Sequence, residues 1–407
     1  MEDELNRMLQ GGIIQIDNDT PWNSPLVIVK KDNGKIRLVN NFIALNRKTI
    51  AEQYPMNNAN ELVSRVAGSQ YITRLDLRSA FWQIKLAPES QKLTGFQTEF
   101  GSFSYRRLPM GLKCSSFACQ RLLDRVLKGT HRFTGTLIDD ILVFSKQFET
   151  HLGHVQEVLE RLRKAGLTAN TEKCIFATNN IKIFGHLVQD GKISPDEDKI
   201  QVVSNWPVPK TKRQLRSFLG LVNFFRSYIP QYSAIAFPLT EMLTKARSDK
   251  VQWDAEKQTA FDRLKNALTS KPILRAPDMT KDYILMTDCS RTHIGCILMQ
   301  PGDNDDSPGH VISYYSKKLL PREARYATIE LELMSIVYGL TKFYHFVYNH
   351  PVWVYTDHRP LQWLNSLIKH SSRLARWALI LQHHNITTTY IKGEKQLADA
   401  LTRMPQT

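Results

Sequence analysis

The chain is short of cysteine, of acidic residues relative to basic ones, and of long apolar runs. Five cysteines occur in 407 residues, at Cys114, Cys119, Cys174, Cys289 and Cys296. None forms a C-x-x-C pair and no Cys/His group has zinc spacing, which argues against a zinc ribbon or a disulfide scaffold. An odd, scattered set fits buried free thiols in a reducing compartment. No apolar run approaches the length that spans a bilayer, so no membrane partner is expected. The opening MEDELNRMLQ is charged and does not read as a signal peptide. Internal repeats and low-complexity segments are also lacking. Acids number 39 against 54 Lys and Arg, for a formal net charge of +15 and a pI near 9.5. Such a surplus favours a polyanionic partner, chiefly nucleic acid. The plainer alternative is a basic protein that its charge keeps soluble. The hydrophobic fraction of 42% suffices for real cores, and the length suggests roughly two to four domains.

The most informative feature present is Asp139-Asp140, inside Gly135-Thr136-Leu137-Ile138-Asp139-Asp140-Ile141-Leu142-Val143-Phe144-Ser145. Apolar residues flank two adjacent acids, which predicts two strands joined by a tight turn. Crowding two carboxylates is costly unless a cation lies between them. Divalent cations are the usual solution, and displacement at phosphorus the usual chemistry. Asp76 ends a predicted strand over 71–77 and adds a third carboxylate. On spacing alone this is weak, because Asp is a common turn residue.

Elsewhere the pattern predicts a short helix, a loop at Trp22-Asn23-Ser24-Pro25 and a hairpin over 26–30 and 36–40, turned at Asp32-Asn33-Gly34. Helices are expected over 117–127 and 151–164, and alternation predicts a strand over 181–188. Beyond Pro207 and Pro209 a helix carries the stripe Leu215, Phe218, Leu219, Val222 and Phe225. Arg213 and Arg216 sit one turn apart and share a face that could track a phosphate backbone. A solvated basic face on a core helix reads equally well. From about 276 the order is strand, strand, an acidic loop at 303–306, strand, a long helix over 326–347 and a strand over 352–356. That order is α/β with one mixed sheet.

Several runs carry a resemblance. They are Gly12-Ile13-Ile14, Ser24-Pro25-Leu26-Val27, Ala44-Leu45-Asn46, Leu75-Asp76-Leu77-Arg78-Ser79-Ala80-Phe81, Pro109-Met110-Gly111-Leu112, the Ile138–Ser145 segment, Phe184-Gly185-His186 and Arg216-Ser217-Phe218-Leu219-Gly220-Leu221. In this order the chain resembles the reverse transcriptase of gypsy-class LTR retrotransposons. The resemblance implies an α+β right-hand polymerase with fingers, palm and thumb. Asp76 and Asp139 would hold two Mg²⁺ ions, with Asp140 supporting and Mn²⁺ as a substitute. Phe81 matches the aromatic gate that excludes a 2′-hydroxyl. Lys30, Arg37 and Met110 would line the dNTP pocket, with Lys31 an equal alternative to Lys30 because hairpin register is not readable from sequence. Lys173 matches a lysine that protonates the leaving pyrophosphate, although a surface lysine fits as well. Phe184-Gly185-His186 looks like the turn that grips the primer strand. The chain departs from the family at Leu137, where Tyr is usual, at Met110, where Phe or Gln is usual, and at Asn41 and Ile43, where an acid and an arginine are usual. These changes bear on rate and fidelity rather than on metal ligation.

A second set of acids lies in the last third. Asp288 and Asp357 end predicted strands, Glu330 and Glu332 lie on the long helix, and Asp399 sits near the end of the sequence. Residues two apart on a helix point to nearly opposite sides, so one glutamate at most joins the site, and periodicity cannot choose between them. This stretch resembles the ribonuclease H domain of the same family. On that likeness Glu332 aligns with the metal-binding glutamate and Glu330 is a surface acid. Asp288, Glu332, Asp357 and Asp399 would hold another Mg²⁺ pair against RNA. Retroviral domains carry a histidine just before the last acid, and no histidine stands there in this chain. His383 and His384 have no motif role.

The expected architecture is thus fingers and palm over 1–195, a thumb and connection over 196–275, and a ribonuclease H-like α/β domain over 276–407. Its expected partners are an RNA template, a DNA primer/template, RNA–DNA hybrid and dNTPs, with a homo- or heterodimer as the assembly and cytoplasmic virus-like particles as the setting. The competing expectation is a catalytically decayed, nucleic-acid-binding remnant of a retrotransposon. All seven expected acids being present argues against advanced decay.

Overall fold

A computed structural model describes the chain apart from residues 31–33, 35, 51–52, 245–249, 271, 303–308, 357–371 and 391–407. The acidic loop at 303–306, Lys31, Asp357 and Asp399 therefore lie outside the described residues. The chain divides into two compact units, 1–62 with 69–179 and 63–68 with 180–407.

The first unit is built on a four-stranded antiparallel sheet. Its order is Thr134–Leu137, Asp140–Ser145, Tyr71–Asp76 and Ile175–Thr178. Leu75 pairs with Ile141 and Thr73 with Val143. Leu75, Ile141 and Val143 are fully buried against Cys119 and Leu123 of the helix Ser115–Val126 and Val158 and Leu162 of the helix Phe148–Lys164. Successive strand residues alternate faces, so Arg74, Asp76 and Asp140 leave the face opposite those helices. A second core forms around Leu5, Met8, Ile14, Phe42, Phe96, Phe103 and Tyr105. The hairpin Leu26–Lys30 with Ile36–Asn40 forms as its alternation predicts.

The second unit holds two sheets. The smaller is antiparallel, in the order Asn180–Ile183, His186–Gln189, Lys192–Pro195 and Leu274–Arg275. The single strand expected over 181–188 is two strands. Phe184 and Gly185 both have positive φ, 48° and 80°, between the paired residues Ile183 and His186. Such a pair makes a two-residue hairpin turn and shifts the alternation by one, with Ile181 and Ile183 buried before it and His186 and Val188 after it; the apolar Phe184 at the turn masked that shift. The helix Lys212–Phe224 starts on a Thr211/Gln214 capping box. Leu215, Phe218, Leu219 and Val222 are buried while Arg213 and Arg216 stay exposed. The larger sheet is mixed, in the order His310–Lys318, His293–Gln300, Tyr283–Cys289, Val352–Thr356 and Ile386–Tyr390. The last two strands run parallel to their neighbours. The helix Thr328–Lys342 packs on this sheet. Close approach depends on Gly339, where a Cβ would lie 3.1 Å from Leu285 Cδ1. That helix ends at Lys342, short of the expected 347, and Tyr344–Val347 forms a separate turn of helix.

The α+β expectation matches this architecture. Among the described residues no helix is long and apolar enough to cross a membrane.

Candidate functional site

The first unit brings three acids to one end of its sheet. Asp76 is the register partner of Asp140 in the antiparallel pair. Asp139 lies in the two-residue turn between Leu137 and Asp140, which pair with each other. All three acids are half-buried. Burial pushes the Asp140 carboxyl up, and the charges of Asp139 and Asp76 push it further. Arg74 and Lys173 act in the opposite sense. Lys173 Nζ stands 4.0 Å from Asp76 Oδ2. Arg74 leaves the same sheet face two residues before Asp76. A cation in the middle of an apolar strand was the sequence signal for it, and the motif reading passed over it.

The other predicted residues of this unit distribute as follows. Phe81 lies in the 3-10 turn Ala80–Gln83, half-buried against the core that contains Leu75 and Leu123. Met110 is exposed, beside Gly111 at φ 92°. A non-glycine residue would be strained at that φ. Asn46 ties this loop down at both ends: its Nδ2 donates to the Gly111 carbonyl at 2.8 Å, and its Oδ1 accepts from the Lys113 amide at 2.8 Å. Asn46 lies in the Ala44-Leu45-Asn46 run, yet its task is invisible without the loop it holds. Lys30 pairs with Ile36 while Arg37 pairs with Val29. Their side chains therefore leave opposite faces of the hairpin, so the two do not meet one ligand from the same side.

In the second unit Asp288 lies near the C-terminal end of Tyr283–Cys289, and Glu332 projects from Thr328–Lys342. Both are buried, at 7% and 5% exposure. Burial raises the Cys289 thiol, and the charges of Glu332 and Asp288 raise it further. The two acids thus act on one neighbourhood. Glu330 is engaged elsewhere. It pairs with Arg373 at 2.9 Å and accepts the Ala327 amide at 3.1 Å. Val352–Thr356 is the parallel neighbour of Tyr283–Cys289, and Asp357 follows it in sequence.

Residues 28–188 match the family described as reverse transcriptase (RNA-dependent DNA polymerase), and residues 278–384 match the RNase H-like domain found in reverse transcriptase. The retrovirus-related Pol polyprotein from transposon 297 of Drosophila melanogaster is 34% identical over 99% of this chain and 38% of its own length. The corresponding polyprotein from transposon gypsy is 33% identical over 99% of this chain and 40% of its own length. The chain thus carries a reverse transcriptase match and an RNase H-like match, and is similar over nearly its whole length to retrovirus-related Pol polyproteins. It spans about two fifths of the length of these relatives, 38% and 40%. A foamy viral protease-reverse transcriptase, solved in complex with double-stranded DNA, shares the fold at a TM-score of 0.85 and 22% identity, over 96% of this chain and 69% of that one. A second structure of that enzyme, with RNA/DNA hybrid, matches at a TM-score of 0.81 and 22% identity, over 100% of this chain and 54% of that one.

Members of the Pol family depend on divalent metals, and the donor chemistry here suits them. Hard carboxylate oxygens favour Mg²⁺ or Mn²⁺ over zinc. Burial raises Asp140 first and the charges of Asp139 and Asp76 add to it, and a cation would relieve that repulsion. Among the described residues no group of three or more His, Cys, Asp or Glu side chains converges on a point that could hold an ion. Asp76, Asp139 and Asp140 therefore do not form a closed three-acid ligand group by themselves. Mg²⁺ sites of phosphoryl-transfer enzymes take one or two carboxylates and complete their shell with water and substrate phosphate, so two acids per ion satisfy the chemistry.

Proposed function

We propose that this Pol chain is an RNA- and DNA-directed DNA polymerase with RNA–DNA hybrid ribonuclease activity, acting by two-metal phosphoryl transfer in retrotransposon replication. The observation that carries the polymerase reading is the register of Asp76 against Asp140, with Asp139 in the adjoining turn. In this reading Asp76 and Asp139 hold the ions and Asp140 tunes their charge. Asp288, Glu332, Asp357 and Asp399 do the same for hydrolysis. When bound, Mg²⁺ would activate the attacking hydroxyl or water and stabilise the leaving oxygen.

The chain's own residues supply the rest. Phe81 closes the floor under the sugar and disfavours a 2′-hydroxyl. Arg37 meets the triphosphate, Lys30 leaving the hairpin on its other face, and Met110 borders the base pair. Lys173 is placed near Asp76 to hand a proton to the departing pyrophosphate. The exposed Arg213 and Arg216 track a duplex backbone without reading sequence. Fingers and palm over 1–195, thumb and connection over 196–275 and ribonuclease H over 276–407 are the functional divisions this reading implies. A homo- or heterodimer working within cytoplasmic virus-like particles belongs to the same reading.

The test pairs two assays on one protein. Primer extension on an RNA template with dNTPs and Mg²⁺ is expected from wild type and not from Asp139→Asn. Cleavage of labelled RNA in a hybrid is expected from wild type and from Asp139→Asn, and not from Asp288→Asn. Equal extension by wild type and Asp139→Asn would remove the polymerase assignment.

A further inference from the structure

Ile138, the residue before Asp139, has φ 60°. A β-branched residue avoids this left-handed region, because its Cβ crowds the backbone there. Such strain persists only where the surroundings over-determine it. Both backbone polar groups of Ile138 are taken by neighbouring side chains of the helix Ser115–Val126. Gln120 Oε1 accepts the Ile138 N–H at 2.9 Å. Cys119 Sγ donates to the Ile138 carbonyl at 3.1 Å. Burial pushes the Cys119 thiol up to about 12, with the charge of Asp139 adding to it, so the thiol keeps its proton and can donate.

Gln120 is itself fully buried, and its carboxamide is locked in one orientation. Its Nε2 donates to Thr136 Oγ1 at 2.8 Å and to Asp124 Oδ1 at 2.9 Å. Thr136 Oγ1 donates to Asp124 Oδ1 at 3.2 Å, and the Tyr54 hydroxyl donates to Asp124 Oδ2 at 2.9 Å. Asn57 Nδ2 reaches the Thr136 carbonyl at 2.8 Å. A satisfied buried network of this kind rigidifies what it touches. What it touches is the peptide that carries the first acid of the turn.

We propose that Cys119 and Gln120 are positioning residues, clamping Ile138 in the left-handed conformation from both sides and so aiming Asp139 and Asp140 at the reacting phosphate. The catalytic half of this statement rests on the polymerase reading, while the clamp itself does not.

The test uses the full chain. Gln120→Met keeps length and volume but offers no carboxamide. It should lower kcat for primer extension by about 100-fold, the scale of a misplacement near 1 Å, with template–primer affinity within twofold of wild type. Hydrogen exchange of the Ile138 amide, followed in a peptide spanning the turn, should quicken at least tenfold. Cys119→Ser retains a donor and should stay close to wild type, whereas Cys119→Ala should lose several-fold in kcat. Glycine accepts positive φ without a clamp, so in an Ile138→Gly background the cost of Gln120→Met should shrink below about tenfold. Unchanged exchange and kcat in Gln120→Met would overturn the proposal. So would strictly additive effects with Ile138→Gly, or a loss of template–primer affinity that parallels kcat, since each marks plain structural support. A wild type that fails to extend primers would sink the functional reading alone, and the amide exchange would still decide the clamp.

Discussion

The two acidic clusters are built by different physical means. In the first unit the acids stand at a half-buried turn, and the turn is held from behind by neutral hydrogen bonds from a packed helix. In the second, Asp288 and Glu332 are sunk between a strand end and a helix, at 7% and 5% exposure. The turn site spends strain on geometry, and the buried site spends desolvation. A turn can face a large, sliding duplex and an incoming nucleotide. A recess would suit the proposed cleavage site, where bound ions would meet a single strand. The contrast suggests that substrate access sets how much acid burial a metal site tolerates.

The sharpest way to break this contrast is to remove carboxylate charge on one helix. Glu332→Gln should cut hybrid cleavage on the order of 10³-fold, since losing an ion costs several kcal/mol of transition-state stabilisation. Glu330→Gln should leave the cleavage rate within twofold and cost only about 0.5–1 kcal/mol of stability through its cap and ion pair. Rate constants on one labelled hybrid decide this. Comparable losses from both would erase the distinction between buried and capping glutamate. Next, Mg²⁺ titrated into nucleic-acid-free protein should stabilise the second unit more than the first, by about 2.7 kcal/mol at a hundredfold excess over its dissociation constant. Hydrogen exchange resolved by unit would show it, and equal protection of both units would contradict it.

A smaller effect concerns metal-free stability. Asp288→Asn disturbs a buried, partnered carboxylate and should destabilise the protein by about 1–2 kcal/mol in chelator. Asp139→Asn, in its half-buried turn, should move it by less than about 0.5 kcal/mol. Urea midpoints at constant slope test the pair, and an unchanged midpoint in Asp288→Asn would show that the buried carboxylate contributes nothing to metal-free stability. The smallest expected change is at the nucleotide loop. Asn46→Ala frees the Gly111 and Lys113 ends and should raise the dNTP KM about three- to tenfold, leaving template–primer affinity unchanged. An unchanged dNTP KM would mean that the loop needs no tether.

Much of the fold was legible because it is local. Alternation located the strands around Asp76 and Asp139, and helical spacing located the stripe of Leu215, Phe218, Leu219 and Val222, all buried as that pattern requires. The pattern failed at Phe184-Gly185, where a two-residue turn shifts the alternation by one behind an apolar Phe. It was silent on the partition between Glu330 and Glu332, because both flank the same apolar stripe. Burial separates them: Arg373 and the Ala327 amide engage Glu330, while Glu332 lies inside. Arg74 was overlooked because its meaning depends on Asp140, a residue of another strand.

By itself the sequence determined which segments become strands and helices and which acids end them, since periodicity and turn chemistry act over a few residues. The tertiary structure alone decided that Lys30 and Arg37 face apart, that Ile138 turns left-handed, and that Cys119, Gln120 and Asn46 hold the turns they hold. Each of those outcomes is a register or a contact between distant parts of the chain. Their energies come from pairs that no local pattern contains.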